Sequence, residues 1–524
     1  MLQSVDTLRG IKDSYNAAVR FVDDNVMNGN HNKIAITCGE DELTYQQLSH
    51  QMNQFGNALL DIGLEIENRI LLSLHDSPEF AVSFYGSIKI GAIPIPVNTN
   101  LQPHDYEYFL NHSRAKVFVV YEQLWEELKT YKDRFLFLKH VIIVSEKGST
   151  TEEIDFHGFT ANASHELDES YPTTSEDSAF WLYSSGSTGT PKGVIHRQRS
   201  MESAFHNYAV NILNIQSDDV TFSASKLYFA YGLGNGMYFP FGSGATAILL
   251  KGKPTPEKVF ETIEEKKPTI FFGVPTLYGA MINYVEKTGR VPDLSSVRVC
   301  VSAGEALPAS YVKKWRELFK VDILDGIGST EALHIFLSNQ SGEVQPGSTG
   351  KIVPGYDAKV VNEDGQTLPA NEVGDLVIKG DSIASGYWCN LSENYHKFKG
   401  EWMYTGDKYY QDDDGYFWYC GRSDDMLKVG GIWVSPIEIE STLLQHEDVL
   451  EVAVVGETNT ANLVHPKAYV ILKEPKKASG ELADLLKLYV KDQLAPYKYP
   501  REIEFIETLP KTATGKIQRF KLKT

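Results

Sequence analysis

About the first four-fifths of the chain alternates short apolar runs of strand length with helix-like segments, and this alternation constrains the fold more than any other feature. Arg69-Ile70-Leu71-Leu72-Ser73-Leu74 reads as a buried strand; Ser77 then caps a helix predicted to reach about Ile90, with Phe80, Phe84 and Ile88 on one face. Further strand-like runs are Lys116 to Tyr121, Val141 to Val144, Ala245 to Leu250, Thr269 to Val274, Val297 to Val301 and Val321 to Leu324. Helical patterns between several of them predict an α/β architecture with substantial parallel sheet. The acidic, polar stretch from Thr150 to Asp177 reads as a loop.

From about Gly350 the pattern changes to short strands and turns. Asn362-Glu363-Asp364-Gly365 and Asp412-Asp413-Asp414-Gly415 are hairpin-type signals. Beyond Gly421-Arg422-Ser423-Asp424 the chain reads as small α+β: a helix from about Pro436 to Gln445, strands near Val449 to Val455 and Lys467 to Leu472, and a helix near Glu481 to Leu494. The economical division is a large domain over residues 1–423 and a small one over 424–524.

Charge and cysteine usage exclude several function classes. A net charge of −19 argues against nucleic acid and anionic membranes as partners, since both require a basic surface. An acidic protein that binds polyanions must concentrate Lys and Arg at the site. The four cysteines, Cys38, Cys300, Cys389 and Cys420, lie far apart without a C-x-x-C pair, so neither zinc nor a disulfide framework is expected. The N-terminus shows no basic region followed by an apolar core, and no run approaches the ~18 apolar residues of a membrane span. The expectation is a cytoplasmic protein with no membrane or nucleic-acid partner; a homodimer is allowed but not specified.

Tyr183-Ser184-Ser185-Gly186-Ser187-Thr188-Gly189-Thr190-Pro191-Lys192-Gly193 follows the apolar run Ala179 to Leu182. Glycines let successive N–H groups turn toward one anion, and the hydroxyls and Lys192 add donors, so the loop reads as a phosphate cradle. It is not a Walker A loop, because Lys192 follows Thr190-Pro191 and precedes a glycine. A polar surface turn is the plain alternative. Val301-Ser302-Ala303-Gly304-Glu305-Ala306-Leu307 and Asp325-Gly326-Ile327-Gly328-Ser329-Thr330-Glu331 each follow a strand, where open α/β sheets bind ligands. Tyr404-Thr405-Gly406-Asp407 offers a carboxylate suited to two ribose hydroxyls, and Pro510-Lys511-Thr512-Ala513-Thr514-Gly515-Lys516 places a lysine at the end of a loop.

This set, in this order, resembles the acyl-adenylate-forming superfamily over essentially the whole chain: acyl-CoA synthetases, adenylation domains of peptide synthetases, and luciferases. The resemblance implies a large N-terminal domain of layered β-sheets and helices with a β-barrel portion, a small mobile α+β C-terminal domain, and the use of ATP, Mg²⁺ and coenzyme A. It implies that Ser184, Ser185, Gly186, Ser187, Thr188, Gly189 and Lys192 enclose the β- and γ-phosphates. Gly304, Glu305 and Ala306 would line the adenine, with Asp325 accepting from its amino group; Thr330 would touch the α-phosphate, Glu331 hold Mg²⁺, and Asp407 and Arg422 grip the ribose. Lys516 would reach the reacting carboxylate and α-phosphate in one orientation of the small domain. A second orientation would present Lys428, Gly430 and Gly431 to pantetheine, with Asp424 as the hinge. Many relatives stack an aromatic residue on adenine where Ile327 stands, so an aliphatic contact is implied here. Plainer readings are Glu331 as a carboxylate at a helix N-terminus, Asp407 in an Asx turn, and Arg422, Lys428 and Lys516 as surface charges.

Lys226-Leu227-Tyr228-Phe229-Ala230-Tyr231-Gly232-Leu233-Gly234-Asn235 and Glu331-Ala332-Leu333-His334-Ile335-Phe336 are similar to stretches of benzoate- and aminobenzoate-CoA ligases. They imply a short pocket walled by Ala230, Tyr231, Gly232, Ala303, Ile327, His334 and Ile335, suited to a small aromatic carboxylic acid. His334 as a hydrogen-bonded core residue near a helix start, and Tyr231 as ordinary core, are the alternatives. The implied activity is an ATP-dependent aryl-CoA ligase that activates benzoate or a substituted benzoate as an acyl-adenylate and transfers it to coenzyme A. A stand-alone adenylation enzyme loading a carrier protein's phosphopantetheine is one rival. A non-catalytic nucleotide-binding protein is another; it would be expected to lack Glu331 or Lys516, and both are present.

Overall fold

The computed structural model describes residues 14–145, 153–167, 172–185, 190–423, 425–429, 432–458, 464–495, 498–511 and 517–522. A nine-stranded sheet runs in the order Lys351–Ile352, Ile335–Ser338, Ile323–Gly328, Val299–Ser302, Ile270–Gly273, Val220–Ser223, Thr246–Leu249, Ile34–Cys38, Asp41–Thr44. Its interior, from Ile323–Gly328 to Ile34–Cys38, is parallel, and both edges are antiparallel. A five-stranded sheet, Ile93–Pro96, Arg69–Ser73, Val117–Tyr121, His140–Val144 and Ile154–Asp155, is parallel throughout.

Successive side chains on a strand face opposite ways, and here both faces are covered. Ile70, Leu72, Val117 and Val119 of the smaller sheet share one core with Ile270, Phe272, Val299 and Val301 of the larger. The intervening Phe271 and Cys300 enter a second core with Tyr278 and Trp315, and Leu71 and Phe118 a third with Tyr106 and Trp125. The inner positions of such strands are apolar, which is why they read as unbroken runs. The helices Tyr45–Asp61 and Pro78–Lys89 fill the central layer through Leu48, Met52, Phe55, Phe80, Phe84 and Ile88. They touch at Gly86, where a Cβ would stand 2.8 Å from the Met52 carbonyl oxygen.

Two local expectations are corrected. Ser77 holds the N-cap position of Pro78–Lys89 but makes no capping bond; its Oγ accepts from the Tyr121 hydroxyl at 3.2 Å instead. The stretch from 150 to 177 is not all loop: Ile154–Asp155 closes the parallel sheet, and the helix Phe156–Ala161 follows, capped by Asp155 accepting from the Gly158 N–H at 2.7 Å. These elements are too short to carry a periodic signal in an acidic sequence.

The barrel portion is antiparallel: Tyr356–Val361, Gly374–Gly380, Trp402–Gln411 and Phe398–Lys399, with Phe417–Arg422 paired to Trp402–Gln411. The second predicted turn forms, Asp412 Oδ1 accepting from the N–H groups of Asp414 and Tyr416 at 3.1 and 2.8 Å. The small α+β portion has the hairpin Leu427–Val429/Ile432–Val434, helices Pro436–Leu443 and Gly480–Gln493, and a sheet of Val449–Thr458, Val464–Leu472 and Glu502–Phe505. Its two cores draw only on residues between Leu427 and Leu522. Among the described residues no helix is long and apolar enough to cross a membrane, and all four cysteines are free.

Candidate active site

The Ser/Thr/Gly loop joins two antiparallel strands, Ser178–Ser185 and Pro191–Arg197, with Ser184 opposite Lys192. Gly186, Ser187, Thr188 and Gly189 lie outside the described residues, and of Ser185 only the backbone is described. Ser184 Oγ donates to Glu331 Oε1 at 3.3 Å, so two motifs 147 residues apart meet. Lys192 forms an ion pair with Glu393 and stands 5.3 Å from the centre of the Tyr387 ring. It walls a cleft of about 210 Å³ together with His112, Trp388 and Asn390.

Glu331 lies in the turn between Ile323–Gly328 and Ile335–Ser338, not at a helix start, which removes the macrodipole alternative. It is 7 % exposed, and its Oε1 accepts from the Tyr387 hydroxyl at 2.8 Å. Burial opposes its charge, but the Lys397 ammonium and the Tyr387 hydrogen bond outweigh burial and hold the carboxyl below the usual carboxylate range. The turn is pinned by backbone contacts: His196 Nε2 donates to the Thr330 carbonyl at 2.9 Å and Ala384 N–H to the Glu331 carbonyl at 2.8 Å.

In the segment expected to line adenine, Val299–Ser302 leads into Ala303 and then Gly304, whose φ of +99° is the left-handed region a glycine adopts without strain. Glu305 and Ala306 follow, half-buried. Asp325-Gly326-Ile327-Gly328, expected to follow a strand, instead completes one. It runs parallel to Val299–Ser302 as far as Asp325, then antiparallel to Ile335–Ser338. The glycines serve close packing, since a Cβ on Gly326 would sit 2.8 Å from the Leu337 carbonyl and one on Gly328 2.6 Å from that of His334. Burial pushes the Asp325 carboxyl well above its ordinary pKa, and its Oδ1 has no hydrogen-bond partner. A buried acceptor left open is what an adenine amino group would satisfy.

Asp407 is inside the strand Trp402–Gln411, opposite Arg422 on Phe417–Arg422, which removes the Asx-turn reading. Arg422 Nη1 donates to Asp407 Oδ1 at 3.1 Å. The Thr405 carbonyl accepts from Lys397 Nζ at 2.8 Å and from Arg422 Nη1 at 3.4 Å, so the cation acting on Glu331 and the one gripping Asp407 share an oxygen.

Ala230, Tyr231 and Gly232 open the short helix Ala230–Leu233. The Tyr231 hydroxyl lies 3.1 and 3.2 Å from the Val301 and Gly273 carbonyls, at the ends of two parallel strands. His334 sits in the turn before Ile335–Ser338, not near a helix start. Its Nε2 donates to Asn235 Oδ1 at 3.0 Å, and its ring packs 4.3, 5.3 and 5.6 Å from those of Phe239, Tyr208 and Tyr231. Burial pushes the imidazole pKa down to about 3, so it is neutral at working pH. Ile335 pairs with Gly328 and Ile327 with Leu337, which ties Ile327 and Gly328 to the strand that follows His334.

Asp424, Gly430, Gly431 and Lys516 lie outside the described residues, and Lys428 is described only as backbone in Leu427–Val429. Sequence reading missed Tyr387, Lys397 and His196, and passed over Asn235 inside the ligase-like stretch. The groups they act on, Glu331, Thr330 and His334, lie far from them in sequence.

The family described as AMP-binding enzyme matches residues 23–388, and the AMP-binding enzyme C-terminal domain matches residues 438–516. A benzoate–CoA ligase of Thauera aromatica is 46% identical over 518 residues, 98% of this chain and 97% of that protein. A solved benzoate CoA ligase from Burkholderia xenovorans superposes with a TM-score of 0.89 at 42% identity, covering 97% of this chain and 100% of that one. An anthranilate CoA ligase in complex with anthranoyl-AMP gives a TM-score of 0.92 at 41% identity, covering 98% of each chain.

Proposed function

The chain belongs to the AMP-binding enzyme family, and from that premise we propose that it is an ATP-dependent acid–thiol ligase joining benzoate, or a benzoate with a small ring substituent, to coenzyme A. The meeting of Ser184 with Glu331 carries the chemistry. The aryl acid rests on the Tyr231–His334 wall and on the likeness to benzoate and anthranilate ligases.

A carboxylate is a poor acyl donor because its leaving group would be oxide. In the first step a carboxylate oxygen attacks the α-phosphorus of ATP, the bond to the bridging oxygen breaks, and diphosphate leaves. In the second the coenzyme A thiol gives up its proton and attacks the acyl carbon, and AMP departs. The enzyme's contribution is positioning and charge stabilisation. Ser184 and Lys192 face the β- and γ-phosphates, Thr330 the α-phosphate, Asp325 and residues 304–306 the adenine, and Asp407 with Arg422 the ribose. Lys516 supplies positive charge for the first step, and Lys428, Gly430 and Gly431 serve the second after a turn about Asp424, where we divide the chain into 1–423 and 424–524.

Mg²⁺ belongs with this reading. An ionised, buried carboxylate beside a serine oxygen is a hard oxygen donor set of the kind that would hold Mg²⁺ together with substrate phosphates. Bound there with the nucleotide, it would offset phosphate charge. Free cysteines suit a reducing cytoplasm, where we place the protein.

Incubation with ATP, Mg²⁺ and benzoate, with and without coenzyme A, tests the proposal. Benzoyl-CoA is expected in equal amount to AMP. Diphosphate without thioester would redirect the second step to a carrier protein. No acid-dependent ATP turnover with benzoate or its hydroxy- and amino-derivatives would refute the reading.

A further inference from the structure

Tyr387 touches both groups that the proposed reaction turns toward the triphosphate. Its hydroxyl donates to Glu331 Oε1 at 2.8 Å, and its ring lies 5.3 Å from Lys192 Nζ. Glu331 and Lys192 come from separate motifs, and Tyr387 belongs to neither.

The fold holds this side chain in place from three directions. Gly386–Tyr387 pairs antiparallel with Pro191–Arg197, the strand that carries Lys192, through Gly386↔Ile195 and Tyr387↔Val194. On its other edge Asn394 completes the ladder: its Oδ1 accepts from the Tyr387 N–H at 2.7 Å and its Nδ2 donates to the Tyr387 carbonyl at 3.0 Å. The ring packs 5.6 Å from that of Phe398, and the residue is only 5 % exposed. The helix Leu391–Lys397 that supplies Asn394 also supplies Glu393, the counter-ion of Lys192. A tyrosine with one donor proton, clamped on backbone and ring, has little freedom to point that proton elsewhere. A hydrogen bond from a neutral donor to an ionised carboxylate is stronger than one between neutral groups, and it fixes which Glu331 oxygen remains available.

We propose that Tyr387 is a positioning residue of the adenylation step, setting the Glu331 carboxylate with its hydroxyl and the Lys192 ammonium with its ring face so that both stand ready for Mg·ATP. The proposal rests on the roles given above to Glu331 and Lys192. It concerns the first half-reaction only, because the thiol's attack on a finished acyl-adenylate needs neither group.

The test uses the full-length protein and Tyr387→Phe, which keeps the ring and removes the hydroxyl. Binding of Mn²⁺ to the protein–ATP complex is followed by electron paramagnetic resonance, beside benzoate-dependent ATP–diphosphate exchange and the reaction of coenzyme A with supplied benzoyl-adenylate. Tyr387→Phe is expected to weaken Mn²⁺ binding and slow exchange by roughly tenfold, the scale of one lost hydrogen bond to a charged group, while the second half-reaction is unchanged. Tyr387→Leu, which also removes the ring face, is expected to raise the ATP concentration needed for half-maximal exchange beyond that of Tyr387→Phe. Glu331→Gln separates the two layers of argument. If it too leaves Mn²⁺ binding unaltered, the metal role of Glu331 fails; if it abolishes binding while Tyr387→Phe leaves binding and exchange at the parent level, the positioning role of Tyr387 is overturned. Equal losses in both half-reactions for Tyr387→Phe would likewise overturn it, in favour of a general structural role.

Discussion

The neutral imidazole of His334 makes a prediction whose size follows from its surroundings. It is 2 % exposed, holds Asn235 through Nε2, and is pushed to a pKa of about 3 by burial, against an ordinary 6.5. Unfolded, the same side chain takes a proton near its ordinary value, so acid favours the unfolded chain. The stability tied to this group is therefore full above pH 6.5 and is lost as pH falls toward 3. At pH 5 the unfolded chain has already gained the proton and the folded one has not, a loss of about 2 kcal/mol at ~1.36 kcal/mol per unit. His334→Gln keeps an N–H donor for Asn235 and cannot titrate, so the variant should lose about 2 kcal/mol less than the parent between pH 7.5 and 5. His196, also buried and pushed down to about 4, keeps its share in both proteins and serves as an internal reference. Urea titrations of parent and variant at the two pH values measure the difference. Equal acid sensitivity would refute a buried neutral imidazole at this position. The same variant, assayed by ATP–diphosphate exchange, should reorder ortho-, meta- and para-substituted benzoates while leaving the ATP dependence nearly unchanged. An unaltered order with lowered stability would make His334 a core residue only.

Three further outcomes are expected. Gly232→Ala places a Cβ 2.1 Å from the Lys226 carbonyl oxygen, which is backbone and cannot swing away; a stability loss of about 1–3 kcal/mol and a raised KM for benzoate are expected, and wild-type values for both would contradict the packing. Lys516→Ala should nearly abolish adenylation while sparing the attack of coenzyme A on supplied benzoyl-adenylate, and parallel loss of the two rates would rule out a first-step role. Benzoate and small ortho- or meta-substituted acids should outperform fatty acids in thioester formation, with near neighbours separated by only ~1–3 kcal/mol per methylene; a preference for medium-chain fatty acids would exclude an aryl pocket.

What the chain alone settles is whatever is local in sequence. Arg69–Ser73, Val117–Tyr121 and Ile270–Gly273 announce themselves because a strand covered on both faces is apolar at nearly every inner position. The motif residues stand out by composition, since small hydroxyls and glycines before a lysine suit the holding of an anion, although a polar surface turn shares that composition. The tertiary structure decides two other things. One is whether a glycine marks a loop or a close contact: Gly326 and Gly328 look like a loop and are strand, because Leu337 and His334 backbone approaches where a Cβ would stand. The other is which distant groups meet. Nothing near Glu331 in sequence foretells Ser184, Tyr387 and Lys397 around its carboxylate, yet the Lys397 charge and the Tyr387 hydrogen bond help hold that buried group below the usual carboxylate range. Periodicity reports which face of an element is buried, while the partner across the interface depends on how whole sheets and turns pack; the candidate residues were therefore nameable one by one, and which of them meet, with the resulting electrostatics, only once the chain was folded.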